Sequence, residues 1–183
     1  MIITNDEKAL RIKCEPVLPE EVNQLVSILE SELDKSNKLG NYGIGLAASQ
    51  IGIAKHIAII RLGENLNINL ANAKIEKGYD LKLFPDEGCL SFPGRLENTM
   101  RYQEIYVTNN LVYPHRFIAN GLLAVVCQHE LDHLNENLFF DRSVKKDDKI
   151  KHGKVNPNDP CICGKIDNLT GKIKKFKKCC GRK

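Results

Sequence analysis

The segment Gln128–His133 contains two histidines four residues apart, with a glutamate directly after the first. Residues four apart lie on one face of an α-helix, about 5–6 Å apart at Cβ. Two imidazoles at this spacing can bind one metal ion while Glu130 reaches a water bound to the same ion. The alternative is a chance pattern in which His129 and His133 only satisfy hydrogen bonds. If the pattern is functional, it predicts a hydrolytic metal site.

A hydrolytic site of this kind takes three protein ligands and leaves one position open for water. Glu136 and Phe139 stand where the extended motif HExxHxxGxxH would have its glycine and third histidine, and Glu136 is the last glutamate of the chain. The third ligand is therefore expected upstream of the motif. Cys89, within the segment Glu87–Ser91, is the best candidate, and the alternative there is a small buried cysteine.

The apolar pattern predicts the helices that must position these residues. Leu122–Cys127 is apolar on every side, so we expect a buried central helix that begins after a turn at Asn120–Gly121 and carries the histidine motif. Pro19 opens an amphipathic helix, whose apolar residues repeat at helical spacing and which ends at Gly40. Between the helices, the small residues of Gly43–Gly52 permit close approach of backbone to backbone or to a ligand.

Apolar and β-branched runs between those helices predict several strands. The predicted strands cover residues 56–62, 68–75, 79–84, 103–108 and 111–118. Turns are expected at Lys77–Gly78 and at Asn109–Asn110, where the second turn closes a hairpin. The order of helix, antiparallel strands and helix predicts an α+β fold, with antiparallel sheets packed around the central metal-binding helix.

Charge divides the 183-residue chain into two parts. Residues 1–143 carry 14 Lys/Arg and 19 Asp/Glu, a net charge of −5, whereas residues 144–183 carry 13 and 4, a net charge of +9. A basic tail favours polyanions such as RNA, although a solvated tail has the same composition. No apolar run is long enough to span a membrane, and the first residues lack the features of a secretory signal. We therefore expect a cytoplasmic protein with no membrane partner. A monomer is expected, although no sequence feature fixes the oligomeric state.

Three segments together resemble the signature motifs of the peptide deformylase family. They are GIGLAASQ at 43–50, EGCLS at 87–91 and QHELDH at 128–133. The resemblance covers residues 1 to about 143. It implies the α+β fold and a hydrolase that removes the formyl group from N-formylmethionyl nascent peptides. The implied cofactor is one divalent metal, natively ferrous iron, with zinc or nickel as substitutes.

The resemblance also implies roles for individual residues in the reaction. The implied metal ligands are Cys89, His129 and His133. Glu130 would act as general acid/base for the attack of metal-bound hydroxide. The side-chain amide of Gln50 and the backbone N–H of Leu90 would stabilise the developing oxyanion.

On the substrate side, Ile44 and Gly45 would pair with the peptide backbone as an added strand does. Glu87 would pair with Arg101 and brace the strand that leads to the cysteine ligand. An apolar pocket for the methionine side chain would be lined by Leu122, Val125 and Val126, for which plain core packing is the alternative. The chain departs from the family pattern at Ser49, where proline is usual, and at Asn135–Glu136, where glycine is common.

The end of the chain resembles the small zinc motif at the C-terminus of the SecA translocation ATPase, the SEC-C type. Its four candidate ligands are Cys161, Cys163, Cys179 and Cys180. Four thiolates can enclose one structural zinc, and a segment this short needs a metal to fold. The expected organisation is a catalytic domain over 1–143, a charged linker over 144–155 and a basic zinc module over 156–183, with the ribosome as a partner. The alternative is a disordered lysine tail with incidental thiols.

Three classes of function remain open at this point. The first is a metal-dependent peptide deformylase. The second is a metallopeptidase or amidase that acts on another acyl group with the same scaffold. The third is a non-enzymatic zinc adaptor, against which Glu130 and Gln50 argue, because a structural zinc site needs neither residue.

Overall fold

The computed structural model describes residues 1–63 and 65–144. This part of the chain folds into three α-helices, six strands and three short 3-10 turns. The helices are α1 (Glu7–Leu10), α2 (Val22–Lys38) and α3 (Leu122–Leu134). The strands are β1 (Gly45–Ala47), β2 (Ile57–Leu62), β3 (Leu66–Ala71), β4 (Ala73–Gly88), β5 (Leu96–Asn109) and β6 (Arg116–Asn120). The 3-10 turns are Pro19–Glu21, Ala48–Ile51 and Phe139–Arg142.

The six strands form two antiparallel sheets, with strand orders β1-β2-β3 and β4-β5-β6. The middle strand β2 of the first sheet is buried on both faces. Ile57 and Ile59 pack with the α2 side of the core, whereas Ala58 and Ile60 pack with residues of α3. The first sheet is therefore enclosed by two helices, and the predicted α+β fold with antiparallel sheets is confirmed.

Both predicted helices are present. α2 follows the Pro19 turn and buries Leu29 and Leu33, and Gly40 just beyond its end has a φ of +86°, which glycine adopts without strain. α3 begins directly after Gly121, whose φ is +57°. Nearly every residue of α3 from Ala124 onward is buried, so the histidine motif lies on a central helix as predicted.

The turn predicted at Lys77–Gly78 is wrong. β4 runs without interruption from Ala73 to Gly88, with register shifts between Ile75 and Lys77 and between Phe84 and Glu87. The chain instead turns at Asn72, whose φ is +51°. The Asn72 side chain exchanges hydrogen bonds with the backbone N–H and C=O of Val17, which offsets the cost of the left-handed conformation. The strands predicted over 68–75 and 79–84 are therefore β3 and one long β4.

The predicted hairpin is present with different bounds. β5 begins at Leu96 rather than at residue 103, and β6 begins at Arg116 rather than at 111. The turn does begin at Asn109, whose backbone N–H donates to the His115 carbonyl. Leu111 is part of the loop because its side chain packs against the cluster around α2, which draws this segment away from the strand.

Within the described residues, none of the helices has the length and apolar character needed to cross a membrane. The last described residues join the second sheet, since Ser143 pairs with Thr99 and the N–H of Val144 donates to the Asn98 carbonyl. The predicted zinc module at 156–183 and nearly all of the predicted linker at 144–155 lie outside the described residues.

Candidate metal centre

Helix α3 and the end of strand β4 bring the three predicted ligands together. His129 and His133 lie one turn apart on α3, with ring centroids 5.0 Å apart, and Cys89 directly follows β4. One ligand atom from each residue lies within 4.8 Å of the other two. The Cys89 sulfur is 3.3 Å from Nε2 of His133. A thiol and two imidazoles at this separation form a three-ligand cluster of the kind that binds a transition metal.

The carboxylate of Glu87 holds the ring of His129. Nδ1 of His129 donates to Oε1 of Glu87 at 2.6 Å, which leaves Nε2 as the ring nitrogen for a metal. Arg101 donates to both Glu87 oxygens at 2.7 and 2.8 Å, and the Thr99 hydroxyl donates as well. Burial favours a raised pKa for Glu87, but the hydrogen bonds from His129 and Arg101 outweigh it and lower the pKa to about 2.

Behind Glu87, the charges continue into the structure. Arg101 is 1% exposed and donates through Nη1 to Asp132 at 2.6 Å. Asp132 also accepts two hydrogen bonds from Arg142, at 2.7 and 3.2 Å. Neither Asp132 nor Arg142 was among the predicted site residues. A signal for Asp132 was available, because a carboxylate on a buried helix requires a cationic partner.

Glu130 directly follows His129 on α3. It is 3% exposed, and its Oε2 atom has no hydrogen-bond partner among the described residues. Gly45 of β1 lies so close that a Cβ atom there would overlap the Glu130 carboxylate. Burial is the main cause that raises the pKa of Glu130 to about 7.

The two histidines differ in their electrostatic surroundings. Burial and the nearby charge of His129 lower the pKa of His133 well below its usual value. Burial also acts to lower the pKa of His129, but the contacts with the neighbouring Cys89 sulfur and Glu87 carboxylate outweigh it and raise that pKa. The Glu87 carboxylate thus places negative charge beside His129, which also favours a cation at this position.

Gln50 reaches the same cluster from the 3-10 turn after β1. Its Oε1 accepts from the backbone N–H of Ala47, so its Nε2 points towards Cys89. Nε2 lies 3.6 Å from the Cys89 sulfur and 3.1 Å from the hydroxyl of Ser91. Leu90, which lies between Cys89 and Ser91 in the sequence, lines a cavity together with Gln50 and Cys89.

A cavity of about 530 Å³ opens onto the cluster. Ile44 and Gly45 form one side, and the edge of β1 there is free among the described residues, where β1 pairs only with β2. Helix α3 forms another side through the predicted residues Leu122, Val125 and Val126. Leu122 is 47% exposed, so the apolar wall is open at its outer end. Lining residues that the sequence did not predict include Asn41, Tyr42, Phe84, Asp86, Pro93 and Gly94.

The two departures from the family pattern are accommodated locally. The Ser49 hydroxyl donates to the carbonyl of His133 at 3.2 Å, which ties the turn after β1 to the end of α3. Glu136 has a φ of +63°, a left-handed conformation that glycine adopts more readily. Neither side chain lines the cavity.

Antiparallel sheets around a helix with a thiol, two imidazoles and a buried carboxylate define the class of the protein, a metal-dependent hydrolase. Comparison with known families narrows this class. Residues 1–149 match the sequence profile of polypeptide deformylase, so the chain belongs to that family.

Individual relatives agree with this assignment. A peptide deformylase from Clostridium botulinum is 35% identical over 143 residues, which cover 76% of this chain and 93% of the relative. The structure of a Synechococcus elongatus peptide deformylase in complex with actinonin superposes with a TM-score of 0.69 at 34% identity, over 80% of this chain and 79% of that one. A Met-Ala-Ser-bound Acinetobacter baumannii peptide deformylase superposes with a TM-score of 0.66 at 26% identity, over 78% and 96%.

Proposed function

We propose that this chain removes the formyl group from N-formylmethionyl peptides, with Cys89, His129 and His133 as metal ligands and Glu130 as general acid/base. Members of the polypeptide deformylase family are metal-dependent hydrolases that remove this group from nascent peptides, and the chain is one of them. The observation that carries the assignment of residues is the convergence of three ligand atoms beside a buried, partly unpartnered carboxylate at the base of a cavity.

The residues present fit a divalent cation. One thiolate and two imidazoles suit zinc, iron or nickel, and Glu87 already orients His129 so that its Nε2 is available. A bound cation would supply Lewis acidity, which polarises a carbonyl oxygen and makes water a better nucleophile near neutral pH. We propose ferrous iron as the native ion, with zinc or nickel as working substitutes.

Glu130 moves the proton in this scheme. Its carboxylate accepts a proton from the attacking water as the bond from water oxygen to formyl carbon forms, and it delivers that proton to the leaving amine as the C–N bond breaks. The products are formate and a free α-amine. The unpartnered Oε2 atom supports this role, because a carboxylate already held by fixed donors is a poorer proton acceptor.

Charge that develops on the formyl oxygen needs hydrogen-bond donors. Gln50 supplies an amide N–H₂ group whose orientation is fixed by the bond from Ala47 to its oxygen. The backbone N–H of Leu90, adjacent to Cys89, is the second donor that we assign. Removal of one such donor typically lowers the rate on the order of a hundredfold.

The peptide binds along the free edge of β1 in this proposal. An extended chain can add as a further strand beside Ile44 and Gly45, as in β-augmentation. This places the methionine side chain towards the apolar wall of Leu122, Val125 and Val126. Glu87 borders the cavity, but its oxygens are already used by its own partners, so we assign it to the support of the metal site.

The reaction is tested by anaerobic measurement of formate release from formyl-Met-Ala-Ser, with acetyl-Met-Ala-Ser as the matched control and metal analysis of the same sample. We expect cleavage of the formyl peptide alone, with iron as the bound metal. Equal cleavage of the acetyl peptide would instead favour the second candidate, an amidase that acts on other acyl groups. Zinc or nickel in anaerobically purified, active enzyme would contradict iron as the native ion.

For the region outside the described residues, we propose that 156–183 folds around a second, structural zinc ion and holds the enzyme near the ribosome. The support is the set of four cysteines in two close pairs and the net charge of +9 in residues 144–183. Lysine contacts with RNA phosphate depend strongly on salt, because each contact releases counterions. A position near the site where nascent chains emerge would raise the local substrate concentration.

Deletion of 156–183 tests the zinc and the docking role separately. The full chain should hold two metal ions and the truncated chain one, and co-sedimentation with ribosomes at low salt should fall on truncation. One ion in both proteins would refute the zinc fold. Equal ribosome binding would refute the docking role, and binding that is insensitive to salt would point to a protein partner instead.

A further inference from the structure

A continuous series of charged contacts runs from the last described turn to the metal cluster. Arg142 donates through Nη2 to Oδ1 of Asp132 at 2.7 Å. Oδ2 of Asp132 accepts from Arg101 at 2.6 Å, and Arg101 binds both oxygens of Glu87. Glu87 in turn holds Nδ1 of His129 at 2.6 Å. Four contacts therefore connect an arginine at the end of the fold to a metal ligand.

We propose that Arg142 is a positioning residue for the metal site, which acts through Asp132 and Arg101 on the carboxylate that orients His129. The proposal rests on the metal-ligand set proposed above. Partners behind a ligating histidine fix the direction of its ring, and their loss lowers metal affinity.

The geometry of the Arg142 contact suits this role. Its guanidinium meets the carboxylate of Asp132 at two points, with Nε 3.2 Å from Oδ2 and Nη2 2.7 Å from Oδ1. A two-point contact fixes the plane of a carboxylate as well as its position. Asp132 is 8% exposed and is shared by two arginines, so loss of Arg142 leaves it free to rotate about the remaining bond to Arg101.

The same turn reaches the metal cluster by two further contacts. Ser143 pairs with Thr99, and the Thr99 hydroxyl donates to Glu87. The ring of Phe139 lies 6.0 Å from the ring of His129, centroid to centroid. Residues 139–143 thus lie against the supports of the metal ligand, not only against the outside of the fold.

A simpler alternative is that Arg142 only anchors its turn. The chain provides a control for that alternative in Arg11, which binds Asp141 of the same turn at 2.6 and 2.8 Å and also the carbonyl of Glu136 at 2.9 Å. Arg11 makes no contact with Asp132 among these bonds. Loss of Arg11 therefore loosens the turn without removing a hydrogen bond of the charged series.

The test uses the full chain and compares the variants Arg142→Ala, Arg142→Lys and Arg11→Ala. Zinc affinity is measured by competition with a chelating dye, and the signal of a Cys89→Ala chain is subtracted so that only the catalytic site is counted. The absorption spectrum of the cobalt-loaded protein reports the geometry around the ion independently of activity.

We expect Arg142→Ala to weaken zinc binding about tenfold and to change the cobalt spectrum, in line with the effect of residues behind metal ligands. Arg142→Lys, which keeps the charge but loses the two-point contact, should fall between Arg142→Ala and the unmodified chain and also covers the case in which the alanine variant does not fold. Arg11→Ala should lower thermal stability while zinc affinity and the cobalt spectrum stay unchanged.

Equal zinc affinity and equal cobalt spectra for Arg142→Ala, Arg142→Lys and Arg11→Ala would overturn the proposal and leave Arg142 as a structural anchor. Failure of the ligand set itself has a different signature. In that case the unmodified chain would show no zinc signal that Cys89→Ala lacks.

Discussion

Glu87 and Glu130 border the same cavity and are both almost fully buried, at 4% and 3% exposure, yet their surroundings are opposite. Glu87, at the end of β4, accepts hydrogen bonds from Arg101, Thr99 and His129, and its pKa is about 2. Glu130, on α3, has an oxygen without a partner among the described residues, and its pKa is about 7.

The surroundings of the two carboxylates, and not their residue type, account for the different directions of their pKa shifts. A carboxylate surrounded by fixed donors remains an anion and can hold a metal ligand in place. A carboxylate in an apolar environment can exchange a proton. The second sheet supplies Arg101 and Thr99 to Glu87, whereas β1 meets Glu130 with Gly45, which has no side chain. The two sheets therefore give the two carboxylates different surroundings, which fit the different roles that we propose for them.

The largest effect is expected from loss of a proposed metal ligand. Cys89→Ala should lose the catalytic metal, and turnover should be lost with it, since a three-ligand site reduced to two histidines binds metal weakly. Cys89→Asp should retain part of the metal through an oxygen ligand. Metal analysis after dialysis checks both variants.

Cys127→Ala is the matched control for this pair, because Cys127 is a buried thiol on α3 outside the ligand cluster. It should keep its metal. Metal binding by Cys89→Ala as tight as that of the unmodified chain would exclude Cys89 as a ligand.

Glu87→Gln tests whether Glu87 supports the metal site. This variant leaves Arg101 with one buried anion instead of two, so we expect a loss of about 3–5 kcal/mol in the free energy of unfolding and metal affinity that is about 10–100-fold weaker. Urea unfolding and zinc competition measure the two effects.

Asp80→Asn on the same strand is the control for Glu87→Gln. Asp80 pairs with Lys82 at the surface, where such pairs contribute about 0–1 kcal/mol. If Glu87→Gln were no more disruptive than Asp80→Asn, Glu87 would not support the metal site.

Gly45→Ala tests whether turnover depends on the exact position of the Glu130 carboxylate. A methyl group at this position overlaps the Glu130 carboxylate and should displace it, and a displacement on the order of 1 Å can lower turnover by about a hundredfold. Metal content should stay normal, because the displaced group is not a ligand. Metal content and formate release are measured on the same sample of this variant. A loss of metal would instead show that Gly45 is needed for metal binding.

The smallest expected effect concerns the region far from both carboxylates in sequence. Deletion of 156–183 should leave turnover of formyl-Met-Ala-Ser within about twofold, because the described residues contain every group that we assign to the chemistry. Steady-state assays with this short formylated peptide measure the turnover of both proteins. A large fall in turnover would show that the tail takes part in the reaction itself.

The elements that were predicted correctly from the sequence are those whose local apolar pattern matches their burial in the structure. The first four residues of β2 are apolar, as are the first six of α3, and most of these residues are buried as expected. The four-residue spacing of His129 and His133 places them on one helical face wherever the helix lies. The family assignment followed from three such short motifs.

The long strand β4 was not predicted correctly, because most of its residues are exposed and its pattern is interrupted at two register shifts. Gly78 suggested a turn, but the strand passes through it with the ring of Tyr102 packed over the glycine. The turn at Asn72 depends on bonds to Val17, 55 residues away. Such long-range contacts leave no local pattern.

The residues that hold His129 in place were predicted only in part from the sequence, because their contacts are also long-range. The pairing of Glu87 with Arg101 was expected from the family resemblance, and the contact is present at 2.7 Å. The extension through Asp132 to Arg142 joins residues that are distant from Glu87 in sequence, so it required the folded chain. The position of Asp132 within the motif offered a hint, whereas Arg142 offered none.

In the proposed reaction Glu130 transfers the proton and does not hold the metal. Glu130→Gln separates these two roles, since glutamine keeps the shape of the side chain but cannot accept the proton. Metal content and formate release are measured on the same anaerobic sample. We expect a normal metal content with turnover at least about a hundredfold lower. Near-normal formate release from the metal-loaded variant would contradict this role of Glu130.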